Sequence, residues 1–113
     1  MCTKNELSDI IQKLTQIYRT VYGGNLVEVI LYGSYARGDY NNDSDVDIVA
    51  IVRGERETLQ EQLKQVWDAS CELELEYNTI LSPTVIPYEE FKRYQEDLPY
   101  YRNIVKEGVV ISA

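Results

Sequence analysis

Histidine is absent from this sequence of 113 residues. Its absence excludes Ser-His-Asp triads, Cys-His dyads, zinc sites with histidine ligands and any histidine that acts as a general base. Chemistry performed by this chain therefore has to use carboxylates, hydroxyls, arginine or lysine side chains, or a bound metal ion.

Cysteines and long apolar runs are also scarce. Cys2 and Cys71 lie far apart and form no metal-ligand pattern, so we expect Cys71 to pack on an apolar face and Cys2 to lie on a frayed end. No apolar run approaches the roughly 20 residues that span a bilayer, and the first residues carry no secretory pattern. We therefore expect a cytoplasmic protein that does not interact with membranes.

Positive charge is in deficit. Eleven Lys and Arg residues stand against 19 Asp and Glu residues, which gives a net charge of −8. General binding of nucleic acid depends on clustered Lys and Arg, so this balance argues against it. A basic partner, or a ligand that arrives with metal ions, fits such a surface better.

The hydrophobic pattern predicts alternating helices and strands. Apolar residues at helical spacing predict a first helix over residues 5–22, which Gly23-Gly24-Asn25 ends. Apolar, β-branched runs predict strands over residues 26–32 and 45–52, with a polar loop between them. The remaining predicted elements are a strand over residues 79–86, a helix from Pro87, a short helix from Pro99 that Gly108 closes, and a strand over residues 109–111.

Residues 71–77 (CELELEY) fit two patterns. Their alternation taken alone suggests a strand, but a helical repeat runs from about Glu55 through Leu59, Leu63, Val66, Ser70, Leu73 and Tyr77. We predict a helix that Asn78 stops, because a strand over residues 71–86 would be unusually long. The resulting order, α-β-β-α-β-α-α-β, predicts the α/β (α+β) class: one domain over residues 1–113, with a small mixed sheet packed against helices.

Two aspartates begin the second predicted strand. Residues two apart on a strand project to the same face, so Asp45 and Asp47 present their carboxylates side by side while Val46 points into the core. Adjacent carboxylates repel and raise each other's pKa, and a divalent cation removes that repulsion. Mg²⁺ suits such a pair because it takes one or two protein carboxylates and completes its shell with waters and phosphates.

The turn after the first strand provides a complementary phosphate site. Gly33 allows a phosphate to approach the backbone, and Ser34 offers a hydroxyl and an N–H donor. Residues 34–37 can begin a short helix whose N-terminus favours an anion. Arg37 follows either as a phosphate ligand or as a solvated loop residue. A nucleoside triphosphate with Mg²⁺ would lie between this turn and the two aspartates.

The segment GSYARGDYNNDSDVD resembles the signature of polymerase-β-like nucleotidyltransferases: Gly-Ser, ten residues, then Asp-X-Asp. It is similar in particular to the minimal nucleotidyltransferase (MNT) group of small stand-alone domains. The resemblance implies a nucleotidyltransferase core and transfer of AMP from ATP to a hydroxyl. It also implies that Asp45 and Asp47 are catalytic metal ligands and that Gly33 and Ser34 hold the triphosphate.

The MNT group further implies a partner and an acceptor. MNT domains of this size resemble antitoxins that pair with HEPN-domain proteins, which are small helical ribonuclease toxins. In that resemblance the MNT domain adds AMP to a tyrosine of the HEPN partner. The competing hypothesis is a binding module that keeps the fold and neutralises a basic partner by forming a complex.

One feature of the resembled family is missing from the predicted third strand. Active members commonly add a third carboxylate there, whereas TILSPTVI holds only Thr79, Ser82 and Thr84 as polar residues. If residues 71–77 were a strand instead, Glu72, Glu74 or Glu76 could face the site, with Glu76 the best placed. Without a third carboxylate, the metal nearest the acceptor is held less well, which favours the binding module.

Overall fold

The computed structural model describes residues 4–41 and 44–112. Helices and strands follow the predicted order, and the short helix expected at residues 34–37 is a single turn. In chain order they are α1 (Lys4–Tyr22), β1 (Leu26–Tyr32), α2 (Ser34–Arg37), β2 (Val46–Val52), α3 (Arg56–Tyr77), β3 (Leu81–Pro87), α4 (Tyr88–Tyr94), α5 (Pro99–Glu107) and β4 (Val109–Ser112). A 3₁₀ turn at Gly23–Asn25 joins α1 to β1.

The strands form one mixed sheet in the order β3-β2-β1-β4. β1 pairs antiparallel with β2 and with β4, and β2 pairs parallel with β3. Because β2 lies inside the sheet, it is buried on both faces, which explains its continuous apolar run from Ile48 to Val52. Pro83 lies in β3, at an edge of the sheet, where a residue without an N–H is tolerated.

Helices cover both faces of the sheet. On one face the larger core packs residues of α1 and α3, such as Leu14 and Leu63, against Ile48 and Ala50. On the other face a smaller core joins Phe91 of α4 and Ile104 of α5 with other strand residues, including Val49 and Ile51. The predicted fold class, a small mixed sheet packed with helices, is confirmed.

Tyr18 of α1 ties the larger core to the sheet. Its side chain is fully buried, and its hydroxyl donates to the carbonyl of Thr84 at 2.8 Å and to that of Ile48 at 3.3 Å. A buried hydroxyl with a bonded carbonyl avoids the penalty of an unsatisfied polar group, which is about 1–3 kcal/mol. This contact links β2 and β3 to the same helix and fixes the part of the sheet that carries Asp47.

The choice of helix for residues 71–77 is confirmed. α3 continues to Tyr77, and Asn78 ends it in a left-handed conformation, with its N–H bonded to the carbonyl of Glu74. Two strand starts differ from the prediction, since β2 begins at Val46 rather than Asp45 and β3 at Leu81 rather than Thr79.

The expectation that Cys71 packs on an apolar face is wrong, because its side chain is exposed on α3. Cys2 lies outside the described residues. In the ranges 4–41 and 44–112 no helix has both the length and the hydropathy needed to cross a bilayer. The cytoplasmic location and the single domain over residues 1–113 stay predictions.

Candidate active site

The turn between β1 and α2 lies directly against the start of β2. Gly33 has φ 79° and ψ −155°, a conformation that is almost restricted to glycine. A β-carbon built there would collide with Oδ2 of Asp47 and would lie 3.2 Å from its Cγ. The backbone of the Gly-Ser turn therefore packs on the Asp47 carboxylate, so the two halves of the predicted site are in contact.

Both aspartates lie on the face of the sheet that α5 covers. Asp47 is opposite Tyr32 of β1 and level with Ser82 of β3, so the three side chains form a row across the strands. Asp45 immediately precedes β2, and its Oδ2 accepts a hydrogen bond from Ser82 Oγ at 3.4 Å. Val46 between them is fully buried on the opposite face, as predicted.

Burial and charge act together on Asp47. Burial raises the pKa of its carboxyl above the ordinary value of 3.8, and the negative charge of Asp45 raises it further, while Arg37 lowers it. Ionising Asp47 therefore costs more free energy in the folded protein than in the unfolded chain. A cation between the two carboxylates would relieve this penalty.

Arg37 joins the turn to the end of α5. Its Nε donates to Oδ2 of Asp39 at 3.2 Å, and its Nη1 donates to Oε2 of Glu107 at 3.4 Å. The hydrogen bond from Arg37 to Asp39 is the main reason that the pKa of the guanidinium is raised. Arg37 is partly exposed and close enough to act electrostatically on Asp47, so its predicted role as a nucleotide ligand is compatible with its position.

Ser34 is the first residue of α2, and its carbonyl accepts hydrogen bonds from the N–H groups of Gly38 and Asp39 at 2.9 and 3.1 Å. A helix of one turn has only a small dipole. Any preference for an anion at this turn therefore depends on individual donors, such as the Ser34 hydroxyl, more than on the helix as a whole.

Two tyrosines border the site: Tyr32, which flanks the motif in the sequence, and Tyr100, which the sequence did not indicate. Tyr32 and Tyr100 meet edge to face with ring centroids 5.7 Å apart. Burial raises the pKa of the Tyr100 hydroxyl, an interaction with the Thr84 side chain lowers it, and Tyr32 and Asp47 raise it. Strand periodicity could have placed Tyr32 beside Asp47, but α5 brings in Tyr100 from a distant part of the chain.

Tyr35 and Tyr40, which also flank the motif in the sequence, contact each other instead. Their rings stack with centroids 4.4 Å apart, and both pack against the larger core. These two residues support the loop.

The alternative that supplied a third carboxylate from residues 71–77 is wrong, because these residues are helical and lie on the other side of the sheet. Glu76 pairs with Lys13 of α1 at 3.3 Å, and Glu74 accepts the N–H of Leu81 at 3.0 Å. Glu72 lines a groove between α1 and α3. On the site face, β3 presents the hydroxyls of Ser82 and Thr84.

The donor set suits a magnesium ion with a phosphate ligand. Within the ranges that the structure describes, no group of three or more Asp, Glu, Cys or His side chains is placed to hold a metal. Asp45 and Asp47 provide two carboxylates that repel each other, and Mg²⁺ commonly binds through such a pair with waters and substrate phosphates. These residues fit the metal, provided that the nucleotide completes its shell.

The fold is that of a nucleotidyltransferase, and the comparison with known families agrees. Residues 7–111 match the family described as nucleotidyltransferase domain, so the chain belongs to that family. The predicted enzyme class is confirmed.

Relatives of this chain occur in Methanocaldococcus jannaschii. "Putative protein adenylyltransferase MJ0141" is 40% identical over 80 residues, which cover 71% of this chain and 79% of that protein. "Putative protein adenylyltransferase MJ0604" is 30% identical over 101 residues, which cover 89% of this chain and 93% of that protein.

Solved structures confirm the fold. A mutant of the toxin-antitoxin MntA-HpeT is similar with a TM-score of 0.53 and 15% identity, covering 88% of this chain and 69% of that chain. A toxin-antitoxin with AMP-PNP has the same TM-score and 17% identity, covering 94% of this chain and 71% of that chain. At these identities the likeness concerns the fold alone.

The raised pKa of Asp47 predicts how stability depends on pH. At pH values well below 3.8 the carboxyl is protonated in both the folded and unfolded states and imposes no penalty. As the pH rises through that value toward the higher folded pKa, ionisation destabilises the folded state. Asp47→Asn should therefore be more stable than the parent at pH 7, with the difference shrinking toward pH 3, as measured by urea denaturation across this range.

Asp68→Asn is the matched control for this experiment, because it removes one negative charge from an exposed position on α3. If Asp68→Asn stabilises as much as Asp47→Asn at pH 7, relief of net charge explains the effect and the local penalty at Asp47 is refuted.

The contact between Gly33 and Asp47 predicts an unusual cost for a methyl group. Gly33→Ala should destabilise the fold by more than the roughly 1–3 kcal/mol that this backbone conformation costs an alanine, since the added methyl must also displace the Asp47 carboxylate. Gly38→Ala serves as control because φ there is 85° and the added methyl meets no atom within 4 Å.

A double-mutant cycle isolates the free-energy cost of the collision between a methyl group at position 33 and the Asp47 carboxylate. In an Asp47→Ala background, Gly33→Ala should cost measurably less than in the parent, as read from denaturant midpoints. Equal costs in the two backgrounds would show that the carboxylate does not pack on Gly33.

Proposed function

We propose that this chain is a Mg²⁺-dependent adenylyltransferase that transfers AMP from ATP to a protein hydroxyl. The observation that carries the proposal is the packing of the Gly33 backbone on the Asp47 carboxylate, with Asp45 alongside. This contact joins a phosphate-binding turn to a pair of metal ligands. Both relatives carry the name "Putative protein adenylyltransferase", which supports the reaction class and the acceptor class.

Each predicted site residue has a role in this proposal. Asp45 and Asp47 hold Mg²⁺ and are the catalytic carboxylates. Gly33 leaves room for a phosphate at the backbone, while the Ser34 hydroxyl and the Arg37 guanidinium bind phosphate oxygens. When bound, the metal ion would supply charge neutralisation for the attacking oxygen and for the departing pyrophosphate.

The proposed acceptor is a tyrosine of a HEPN-type toxin, which makes this chain an antitoxin. Two observations support this choice. The similar structures include a toxin-antitoxin complex and a toxin-antitoxin with AMP-PNP. The net charge of −8 also suits association with a basic protein, since complementary charge accelerates and directs encounter.

A second candidate function is the binding module, which neutralises the toxin by forming a complex. The specific observation in its favour is that the described residues provide two carboxylates at the site where active members of the resembled family have three. The two functions differ in whether a covalent product forms.

Transfer of labelled AMP to the partner distinguishes the adenylyltransferase from the binding module. The purified chain, Mg²⁺ and ATP labelled at the α-phosphate should add label to the protein encoded by the adjacent gene, and peptide mass spectrometry should place one AMP on a tyrosine. ATP labelled at the γ-phosphate should add none, because that phosphate leaves with pyrophosphate. Asp45→Asn/Asp47→Asn should abolish labelling, since it removes both metal ligands while keeping side-chain size.

Co-purification of the two proteins without transfer of AMP is the outcome expected of the binding module. A stable complex of the two proteins, with no AMP on the partner under saturating Mg²⁺ and ATP, would refute the adenylyltransferase and establish the binding module.

A further inference from the structure

Asp45 and Asp47 are held in the structure in different ways. Asp47 lies within β2, pairs with a residue on either side, and has the Gly33 backbone against its carboxylate. Asp45 precedes β2, and the pairing of β2 with β3 begins one residue later, at Val46. The fold therefore places Asp47 directly, whereas the Asp45 carboxylate depends on a side-chain contact for its orientation.

Repulsion between the two carboxylates acts on the one that is less restrained. Both aspartates are half-buried, so water screens the repulsion incompletely. Without a contact of its own, the Asp45 carboxylate would turn away from Asp47, yet a shared cation needs both carboxylates on the same side. The site therefore requires a group that holds Asp45 beside Asp47 before a metal ion binds.

Ser82 of β3 is placed to hold Asp45. It is the register partner of Asp47 in the parallel pairing of β2 and β3, and its Oγ donates a hydrogen bond to Oδ2 of Asp45 at 3.4 Å. One residue of the neighbouring strand thus lies beside one carboxylate and contacts the other. Within residues 4–41 and 44–112, Ser82 provides the one side-chain hydrogen bond to Asp45.

Backbone pairing fixes the position of Ser82 relative to Asp45. The N–H of Val46, the residue after Asp45, donates to the carbonyl of Ile80 at 2.9 Å. This bond joins the start of β2 to the chain two residues before Ser82. The hydroxyl therefore reaches Asp45 from a paired strand, and such a strand holds a supporting residue more precisely than a loop does.

Other candidates for this role have different partners. Arg37, which lies at the site, donates to the carboxylates of two other residues. The hydroxyl of Ser44, which is next to Asp45 in the chain, accepts the N–H of Asn41 at 2.9 Å. These contacts single out Ser82 as the group that orients Asp45.

We propose that Ser82 is a positioning residue of the metal site: its hydroxyl orients the Asp45 carboxylate so that Asp45 and Asp47 bind one Mg²⁺ together. The inference rests on the proposed function, because it assumes that these two aspartates hold the metal ion that accompanies ATP. A hydroxyl suits this role since it donates a hydrogen bond without a positive charge that would compete with the cation. Its bond to Oδ2 leaves Oδ1 of Asp45 for the metal ion.

Binding of α,β-methylene-ATP tests this role without catalytic turnover, because the bond that breaks during AMP transfer is blocked in this analogue. Calorimetry measures its dissociation constant with excess Mg²⁺ and with a chelator. Ser82→Ala should raise the dissociation constant with Mg²⁺ by roughly 10-fold, the lower end of the effect typical for a residue that orients a metal ligand. The dissociation constant with chelator should stay unchanged, since Ser82 acts through the metal ligand.

Thr84→Ala is the matched control. Thr84 projects from β3 to the same face as Ser82, but its hydroxyl donates to the carbonyl of Ile48 at 3.4 Å and not to a carboxylate. This variant should bind the analogue as the parent does in both conditions. An equal loss in Thr84→Ala and Ser82→Ala would overturn the proposal.

Two variants of the same shape separate the hydroxyl from packing. Ser82→Thr keeps the hydroxyl, Ser82→Val replaces it with a methyl group, and both new residues favour strands, so the comparison holds even where Ser82→Ala fails to fold. Ser82→Thr should restore most of the affinity with Mg²⁺, and Ser82→Val should bind as weakly as Ser82→Ala. Equal binding by Ser82→Thr and Ser82→Val, or equal losses with Mg²⁺ and with chelator, would indicate a structural role and overturn the proposal.

The parent protein separates this inference from the proposed function. If Mg²⁺ does not tighten binding of the analogue by the parent, the metal site and the role of Ser82 fail together. If Mg²⁺ tightens binding in the parent and equally in Ser82→Val, the role of Ser82 alone is refuted. If Ser82 behaves as expected but the parent transfers no AMP to the protein encoded by the adjacent gene, the positioning role stands and the adenylyltransferase is refuted.

Discussion

The contact between the Gly33 backbone and the Asp47 carboxylate is the constraint on which the site depends. It requires a residue without a β-carbon at the end of β1, and it requires β1 and β2 to pair with Tyr32 opposite Asp47. Tyr18 supports this arrangement from the other face by bonding to carbonyls of β2 and β3. A shift of one residue in the pairing would move Asp47 to the opposite face and separate it from the turn.

Much of the fold could be predicted from the sequence because its elements have clear periodicity. The helical repeat through Leu59, Leu63 and Leu73 outweighed the local alternation of residues 71–77, since a long amphipathic helix gains more from packing than a short strand gains from propensity. The exposure of Cys71 was mispredicted because a single residue next to an apolar stripe can fall on either side of it. The precise strand starts at Val46 and Leu81 depend on pairing partners, which local sequence does not specify.

The grouping of residues at the candidate site could be predicted only where those residues are close in sequence. Gly33, Asp45 and Asp47 belong to one short segment, and strand alternation is enough to place the two carboxylates together. Tyr100 and Glu107 reach the site through α5, whose docking on the sheet depends on long-range contacts such as Ile104 against the smaller core. These contacts also explain why the β3 side of the site carries hydroxyls of Ser82, Thr84 and Tyr100, a grouping that no local pattern indicates.

Thermal unfolding with and without ligand tests the metal-dependent nucleotide site most directly. For the parent, Mg²⁺ with ATP should raise the melting temperature more than ATP with a chelator, because a ligand that binds only the folded state stabilises it. Asp45→Asn/Asp47→Asn should melt at the same or a higher temperature without ligand, since the repulsion is gone, and should not respond to Mg²⁺ with ATP. A variant that is markedly less stable without ligand, or that still responds fully, would contradict a metal site at these two aspartates.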